Sequence, residues 1–210
     1  MIYIIKHRRY DNPIPEGYTE LGVGELSTRD TEYMNCLNPY LNEATGLYDI
    51  CHYFKDDIVG LVHYRRFFIN DGDYLKMDDA EAILKEYDMI ITEDVGFDMT
   101  LYEQLYHQVE PTPVLDKYLN KIYEKEPDFK EYLNRHSFNN REMFVCKREL
   151  ISKYCDWLFD LMVPITIDFI RDDYVKAMNK RLMGHIIERL FAYWIDKKGL
   201  KTYRMEYIDV

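Results

Sequence analysis

The stretch Ile58-Val59-Gly60-Leu61-Val62-His63-Tyr64-Arg65-Arg66-Phe67-Phe68 sets a short apolar run directly before a dense basic cluster. The run lacks helical spacing and follows Asp56-Asp57, so it reads as a buried strand over 58–62. The chain opens in the same way: an apolar run at 2–5 reads as a strand, and Lys6-His7-Arg8-Arg9 follows at once. In open α/β sheets ligands bind beyond the carboxyl ends of the strands. If these two strands are parallel, both basic clusters stand at one edge of one sheet. Arginine forks match phosphate oxygens in bidentate geometry, so that edge suits an anionic ligand such as a diphosphate. For Arg8 and Arg9 the competing account is solvated surface charge. For His63 and Arg65, close to Val62 and Phe67-Phe68, it is a structural ion pair with one of the many carboxylates.

Outward from this stretch, Leu47, Ile50, Cys51 and Phe54 recur at three- and four-residue spacing and predict a helix over 42–54. The region 11–29, with Asn12-Pro13, Pro15-Glu16-Gly17 and Gly22-Val23-Gly24, reads as loop with a short strand at 20–23. A helix is expected at 78–87 and a strand at 89–92. The region 101–132 reads as helical in two pieces, broken at Pro111-Thr112-Pro113, with Thr112 as N-cap and Pro113 in the first helical position. A strand at 143–146 follows, then helices at 148–162 and 173–196, the second opened by Asp172-Asp173. Gly199 stops it before a last strand at 202–207. Strands separated by helices predict an α/β fold: one domain over 1–210, with a mostly parallel central sheet flanked by helices.

A chain of 210 residues can bury a core without disulfide or metal staples. Its formal charge of −11 argues against a broad nucleic-acid surface, but not against a small phosphorylated ligand met by concentrated positive charge. The 20 tyrosines suit walls that contact sugars or bases, and equally half-buried helix positions. Cys36, Cys51, Cys146 and Cys155 show no metal-ligand spacing and read as small buried hydrophobes in a reducing compartment. The apolar run at 1–5 is too short for a signal peptide or a membrane span, so a cytoplasmic protein is expected.

Phosphate-loop, dinucleotide-fingerprint, nucleophile-elbow and H-E-x-x-H motifs are absent. Asp71-Gly72-Asp73 has the D-x-D form that can hold a divalent metal against a diphosphate, while Asn70-Asp71-Gly72 is also good turn chemistry. His185 and Glu188 share one helix face. Glu188 reads either as a buried ion pair with Arg189 or as a catalytic carboxylate. Lys197-Lys198-Gly199-Leu200-Lys201 is a modest candidate for peripheral membrane contact, or else a capped helix end with favourable dipole charges.

Thr45-Gly46-Leu47-Tyr48 followed by Val59-Gly60-Leu61-Val62-His63-Tyr64-Arg65-Arg66-Phe67-Phe68 resembles the central signature of a bacterial family first catalogued as domain-of-unknown-function family 4422. Further landmarks recur in that family's order: Lys6-His7, Tyr87-Asp88-Met89-Ile90-Ile91, Gln104 and His107, Glu126-Pro127-Asp128, Asn140, Met143-Phe144-Val145, Trp157-Leu158-Phe159, and Gly184-His185-Ile186-Ile187-Glu188-Arg189-Leu190. Asp49 departs from the aromatic usual at its position, and the segment 28–41 departs from the usual Asp/Asn-rich form.

The resemblance implies a glycosyltransferase of capsule or exopolysaccharide synthesis with a glycosyltransferase-A-like sheet. The donor would be a nucleotide-diphosphate sugar, expected to be a UDP-sugar, and the acceptor a saccharide or lipid-linked saccharide. His63, Tyr64, Arg65, Arg66, Lys6 and His7 are the expected donor-binding residues. Thr45, Tyr48, Asn140 and His185 are expected at the substrate, and Glu188, Asp94 or Glu93 as the catalytic carboxylate. With cations where other such folds place D-x-D, no metal or other cofactor is expected. A phosphotransferase and a non-catalytic nucleotide-sugar-binding subunit are the competing readings.

Overall fold

The computed structural model describes residues 1–9, 13–28, 32–108, 113–172 and 180–210. In chain order the elements are β1 (Ile2–Lys6), β2 (Tyr18–Gly22), α1 (Glu32–Cys36), α2 (Asn38–Leu41), α3 (Ala44–Tyr53), β3 (Ile58–His63), β4 (Arg66–Asn70), β5 (Asp73–Tyr74), α4 (Met77–Ile83), β6 (Met89–Thr92) and β7 (Val95–Gly96). Then come α5 (Leu101–Gln108), α6 (Pro113–Tyr123), α7 (Asp128–Tyr132), β8 (Ser137–Phe138), β9 (Phe144–Lys147), α8 (Arg148–Arg171), α9 (Leu182–Lys198), β10 (Thr202–Met205) and β11 (Tyr207–Asp209).

The central sheet has the order β10-β6-β9-β3-β1-β2. β1 is parallel to β2 and β3, and β10 is parallel to β6, while β9 runs antiparallel between β3 and β6. The sheet is therefore mostly parallel, as expected of an α/β fold. Its apolar runs alternate between two covered faces. Tyr3, Ile5, Leu61, Ile91 and Phe144 face a core built with α3, α8 and α9, whereas Ile2, Ile4, Val62, Ile90 and Val145 face a second core with Phe67, Phe68 and Ala80.

Several details differ from the sequence reading. Pro164 does not end the helix expected at 148–162; α8 continues to Arg171 with Pro164 on its exposed side. A mid-helix proline costs about 3 kcal/mol, and burial of Ile165 and Phe169 beyond it offsets that. The helical region after 101 comes in three pieces, because the chain breaks again at Glu126-Pro127. There the Glu126 carboxylate accepts hydrogen bonds from Trp157 and Tyr193 and pairs with Lys197. Cys36 is exposed rather than buried. Asp71-Gly72 is the two-residue turn between β4 and β5, with φ of 51° and 83°, the left-handed pair such a hairpin requires. The expected cap Thr112 and residue Asp173 lie outside the described residues, but Asp172, expected to open the next helix, instead caps the carboxyl end of α8, and α9 starts at Leu182 rather than 173.

Candidate active site

Ile5 of β1 stands opposite His63 of β3 in parallel register. The chain therefore leaves both strands on the same sheet edge, and both basic clusters emerge there. A cleft of about 610 Å³ opens at this edge. His7, Arg8, His63, Tyr64, Arg65 and Arg66 line one part of it, and Arg141 and Arg181 add two more guanidiniums. The carboxylates on its walls are Glu43 and Glu188. Five arginines against two glutamates make a local positive site in a chain of net charge −11.

Tyr64 organises the cations. Its backbone N–H donates to the Ile5 carbonyl at 3.2 Å, which ties the cluster after β3 to the end of β1. Its buried ring takes the Arg8 guanidinium at 5.1 Å, the Arg65 guanidinium at 5.3 Å and the edge of His7 at 5.3 Å. Cation–π contacts of this kind contribute roughly 0.5–1 kcal/mol at exposed sites. That is enough to bias side-chain orientation, not to neutralise charge. Among the described residues neither Arg8 nor Arg65 makes an ion pair, so both retain a charge for a ligand.

Two His–Glu pairs face the same cleft. His63 Nδ1 lies 3.5 Å from Glu43 Oε1, and His185 Nδ1 lies 3.5 Å from Glu188 Oε2. Glu43 precedes α3, whereas His185 and Glu188 sit in the first turns of α9. Gly184 allows these elements to meet: a Cβ there would lie 1.7 Å from Asn42 Nδ2. Burial opposes ionisation of Glu43, but His63, its own backbone N–H, Arg181 and His7 outweigh it and hold its carboxyl below the ordinary range. Burial, against the pull of Glu43 and with the push of Arg8, Arg181 and Arg65, lowers the His7 pKa.

Glu142, which the sequence reading missed, is 3% exposed and has a positive φ of 50°. Its Oε1 is buried and has no hydrogen-bond partner among the described residues. Burial first, then the nearby Glu43 and Glu188, push its carboxyl well above the usual range, as expected of a neutral acid.

The other expected residues are distributed as follows. Asn140 and His185 line the cleft, and Asn140 Oδ1 is buried without a partner among the described residues. Lys6 pairs with Glu20 of β2 and lies outside the cleft lining. Thr45 is buried, donating its hydroxyl to the Asn42 carbonyl at 2.8 Å and accepting from Asn38 Nδ2 at 2.8 Å. It thus holds the turn that carries Glu43 but does not line the cleft. Tyr48 stacks on His52 and meets Phe159 edge-on, on the side of α3 facing α8. Glu93 is exposed and Asp94 pairs with Arg204, so the structure brings neither into the cleft.

Arg189 is not the partner of Glu188. It is fully buried and bonds the carbonyls of His185 and Leu101 and the Gln108 side chain, and burial lowers its pKa to about 10. Asp71-Gly72-Asp73 lies exposed with Asp73 paired to Lys76, away from the cleft. Lys197 is engaged by Glu126, Lys201 lies over Tyr87, and Gly199 caps α9 in the left-handed conformation. Among the described residues no group of three His, Cys, Asp or Glu is arranged to hold a metal ion, and no helix is long and apolar enough to cross a membrane.

A mostly parallel sheet with β9 and β4 as its antiparallel members, flanked by helices and open at its carboxyl edge, makes this an α/β protein. The chain is similar in structure to the apo form of WbbM, described as a bifunctional glycosyltransferase, with a TM-score of 0.77 at 18% identity. That match covers 100% of this chain and 45% of the other, so this chain spans less than half of that protein's length. Residues 1–199 match the family described as domain of unknown function DUF4422, and the chain belongs to that family. No curated protein matches the sequence.

Proposed function

We propose that this protein is a glycosyltransferase that moves a sugar from a nucleotide-diphosphate donor, a UDP-sugar, to a capsular or exopolysaccharide acceptor at the inner face of the membrane. The observation that carries this reading is the gathering of five guanidiniums at the carboxyl edge of an acidic glycosyltransferase-like fold. In the transfer, the bond between the sugar's anomeric carbon and the diphosphate oxygen breaks and a bond to the acceptor hydroxyl oxygen forms. His63, Arg65 and Arg66 stabilise the charge that develops on the departing diphosphate. Glu188, beside His185, takes the acceptor proton. His7 and Arg8 lie toward the nucleotide. Arginines dominate the cleft at the end of β3, and among the described residues no three His, Cys, Asp or Glu side chains are arranged to hold a metal ion, so no step here is routed through one.

Thermal stabilisation by a panel of nucleotide sugars, followed by calorimetry on Arg65→Ala, tests the reading. A ligand present at about 100 times its Kd stabilises the fold by about 2.7 kcal/mol. Losing one charge-assisted contact of about 1.5–3 kcal/mol should raise the Kd about ten- to a hundredfold. No stabilisation by any nucleotide sugar, or unchanged donor affinity in Arg65→Ala, refutes it.

A further inference from the structure

The cleft arginines are held from behind by a segment outside the family's matched region, which ends at residue 199. β11 pairs antiparallel with β4, setting Asp209 opposite Arg66 and Tyr207 opposite Phe68. Arg66 Nε donates to Asp209 Oδ1 at 2.8 Å, while Arg66 Nη1 lies 3.4 Å from His63 Nδ1. Arg141 Nε donates to the Tyr207 hydroxyl at 3.0 Å, with its guanidinium 5.6 Å from the centre of that ring. The Val210 N–H donates to the Arg65 carbonyl at 2.8 Å. Three of the five cleft arginines thus have their backbone or Nε edge tied to residues 207–210.

A guanidinium presents its donors as a rigid planar fork. Fixing the Nε edge stops rotation about the end of the side chain and leaves the terminal N–H groups directed elsewhere. Arg66 and Arg141 both line the cleft, so their terminal donors are oriented before any ligand arrives. We infer that Tyr207 and Asp209 are positioning residues of the donor site: they orient Arg141 and Arg66 toward the diphosphate without touching it. The proposal rests on the donor reading above and adds that this short strand, beyond the matched residues 1–199, completes the site.

The Asp209 side chain is 58% exposed, so its ion pair with Arg66 adds little stability and its loss should leave the fold intact. Its acceptor geometry matters more than its charge, which would repel a diphosphate. The two properties separate in substitutions: Asp209→Asn keeps an acceptor for Arg66 Nε and Asp209→Ala removes it. Tyr207→Phe likewise keeps the ring and removes the acceptor for Arg141. Calorimetric titration with UDP and, separately, with inorganic pyrophosphate measures the consequence.

Freeing one immobilised arginine should weaken binding about two- to tenfold. Asp209→Ala and Tyr207→Phe are each expected to show that loss, with the factors multiplying in the double variant. Asp209→Asn should stay within about twofold of the unsubstituted protein, and melting temperatures should be unchanged. An unchanged Kd in the double variant, or an equal loss in Asp209→Asn and Asp209→Ala, overturns the inference while leaving the donor reading intact. Binding of pyrophosphate without UDP by the unsubstituted protein overturns the nucleotide part of the donor reading, and the pyrophosphate series still judges the positioning role. Binding of neither overturns both.

Discussion

Glu142→Gln should stabilise the protein, and by an amount that grows with pH. The folded state buries the Glu142 carboxyl, leaves Oε1 without a partner among the described residues and sets Glu43 and Glu188 nearby, so its pKa is raised. In the unfolded chain the same carboxyl titrates near its ordinary value of about 4.3. Above that pH the unfolded state releases a proton that the folded state keeps. Stability contributed by this group is therefore present at low pH and is lost as pH rises toward the folded pKa. Glutamine has nearly the same shape, cannot ionise and removes this pH dependence.

Each pH unit over which the folded acid keeps a proton that the unfolded chain has lost is worth about 1.4 kcal/mol. With an unfolding entropy of about 2.1 cal/mol/K per residue, or about 0.44 kcal/mol/K for this chain, each such unit shifts the melting temperature by about 3 °C. The assay is urea unfolding of both proteins at pH 5, 6 and 7. Subtracting one pH profile from the other cancels every other titrating group. The gain of the variant should widen as pH rises, by at most about 1.4 kcal/mol per pH unit. Parallel profiles would mean that Glu142 ionises in the fold as it does outside it, and the account of a neutral acid beneath the cleft would be wrong.

Three further outcomes follow from the cleft. Glu188→Gln should lower kcat by about a hundred- to ten-thousandfold while leaving the Kd for UDP within experimental error, because a general base acts on the acceptor rather than on the donor; an equal change in both places Glu188 in donor binding instead. Sugar transfer measured with excess EDTA should match that without it, since guanidiniums supply the charge at the diphosphate, and EDTA-sensitive transfer refutes this. Gly184→Ala should cost about 1–3 kcal/mol in urea unfolding, as expected of overpacking, because its new methyl group meets Asn42; Asn42→Ala in the same background should recover part of it.

The sheet edge that carries the site was readable because two apolar runs each end directly in a basic cluster, and parallel β1 and β3 bring those ends together. Other parts were hidden for physical reasons. β4 is short and begins inside the basic cluster, and its partner β11 lies near the far end of the sequence, so no local pattern announces the pair. Glu93 and Asp94 follow a strand at the same edge and looked equivalent to Glu188; only the Asp94–Arg204 pair shows that this carboxylate is already engaged. Glu188 and Arg189 are adjacent and looked like a pair, yet on a helix successive residues point about 100° apart. Arg189 accordingly goes to the core and Glu188 to the cleft.

The residues 139–142 show most clearly what decided the site. Asn139-Asn140-Arg141-Glu142 reads as an ordinary polar loop before an apolar strand, and in a parallel β9 it would lie at the opposite edge, far from the basic clusters. β9 is antiparallel to both of its neighbours, so its amino end shares an edge with the carboxyl ends of β1 and β3. That one reversal delivers Asn140 and Arg141 to the cleft wall and buries Glu142 behind Glu43 and Glu188. The direction of a buried strand leaves no mark in its own residues, since Phe144-Val145-Cys146 packs equally well either way. The signal lay instead in the flank. A polar run with two amides, an arginine and a glutamate is more chemistry than a loop needs, and its buried atoms without partners among the described residues mark it as part of a site rather than a connection.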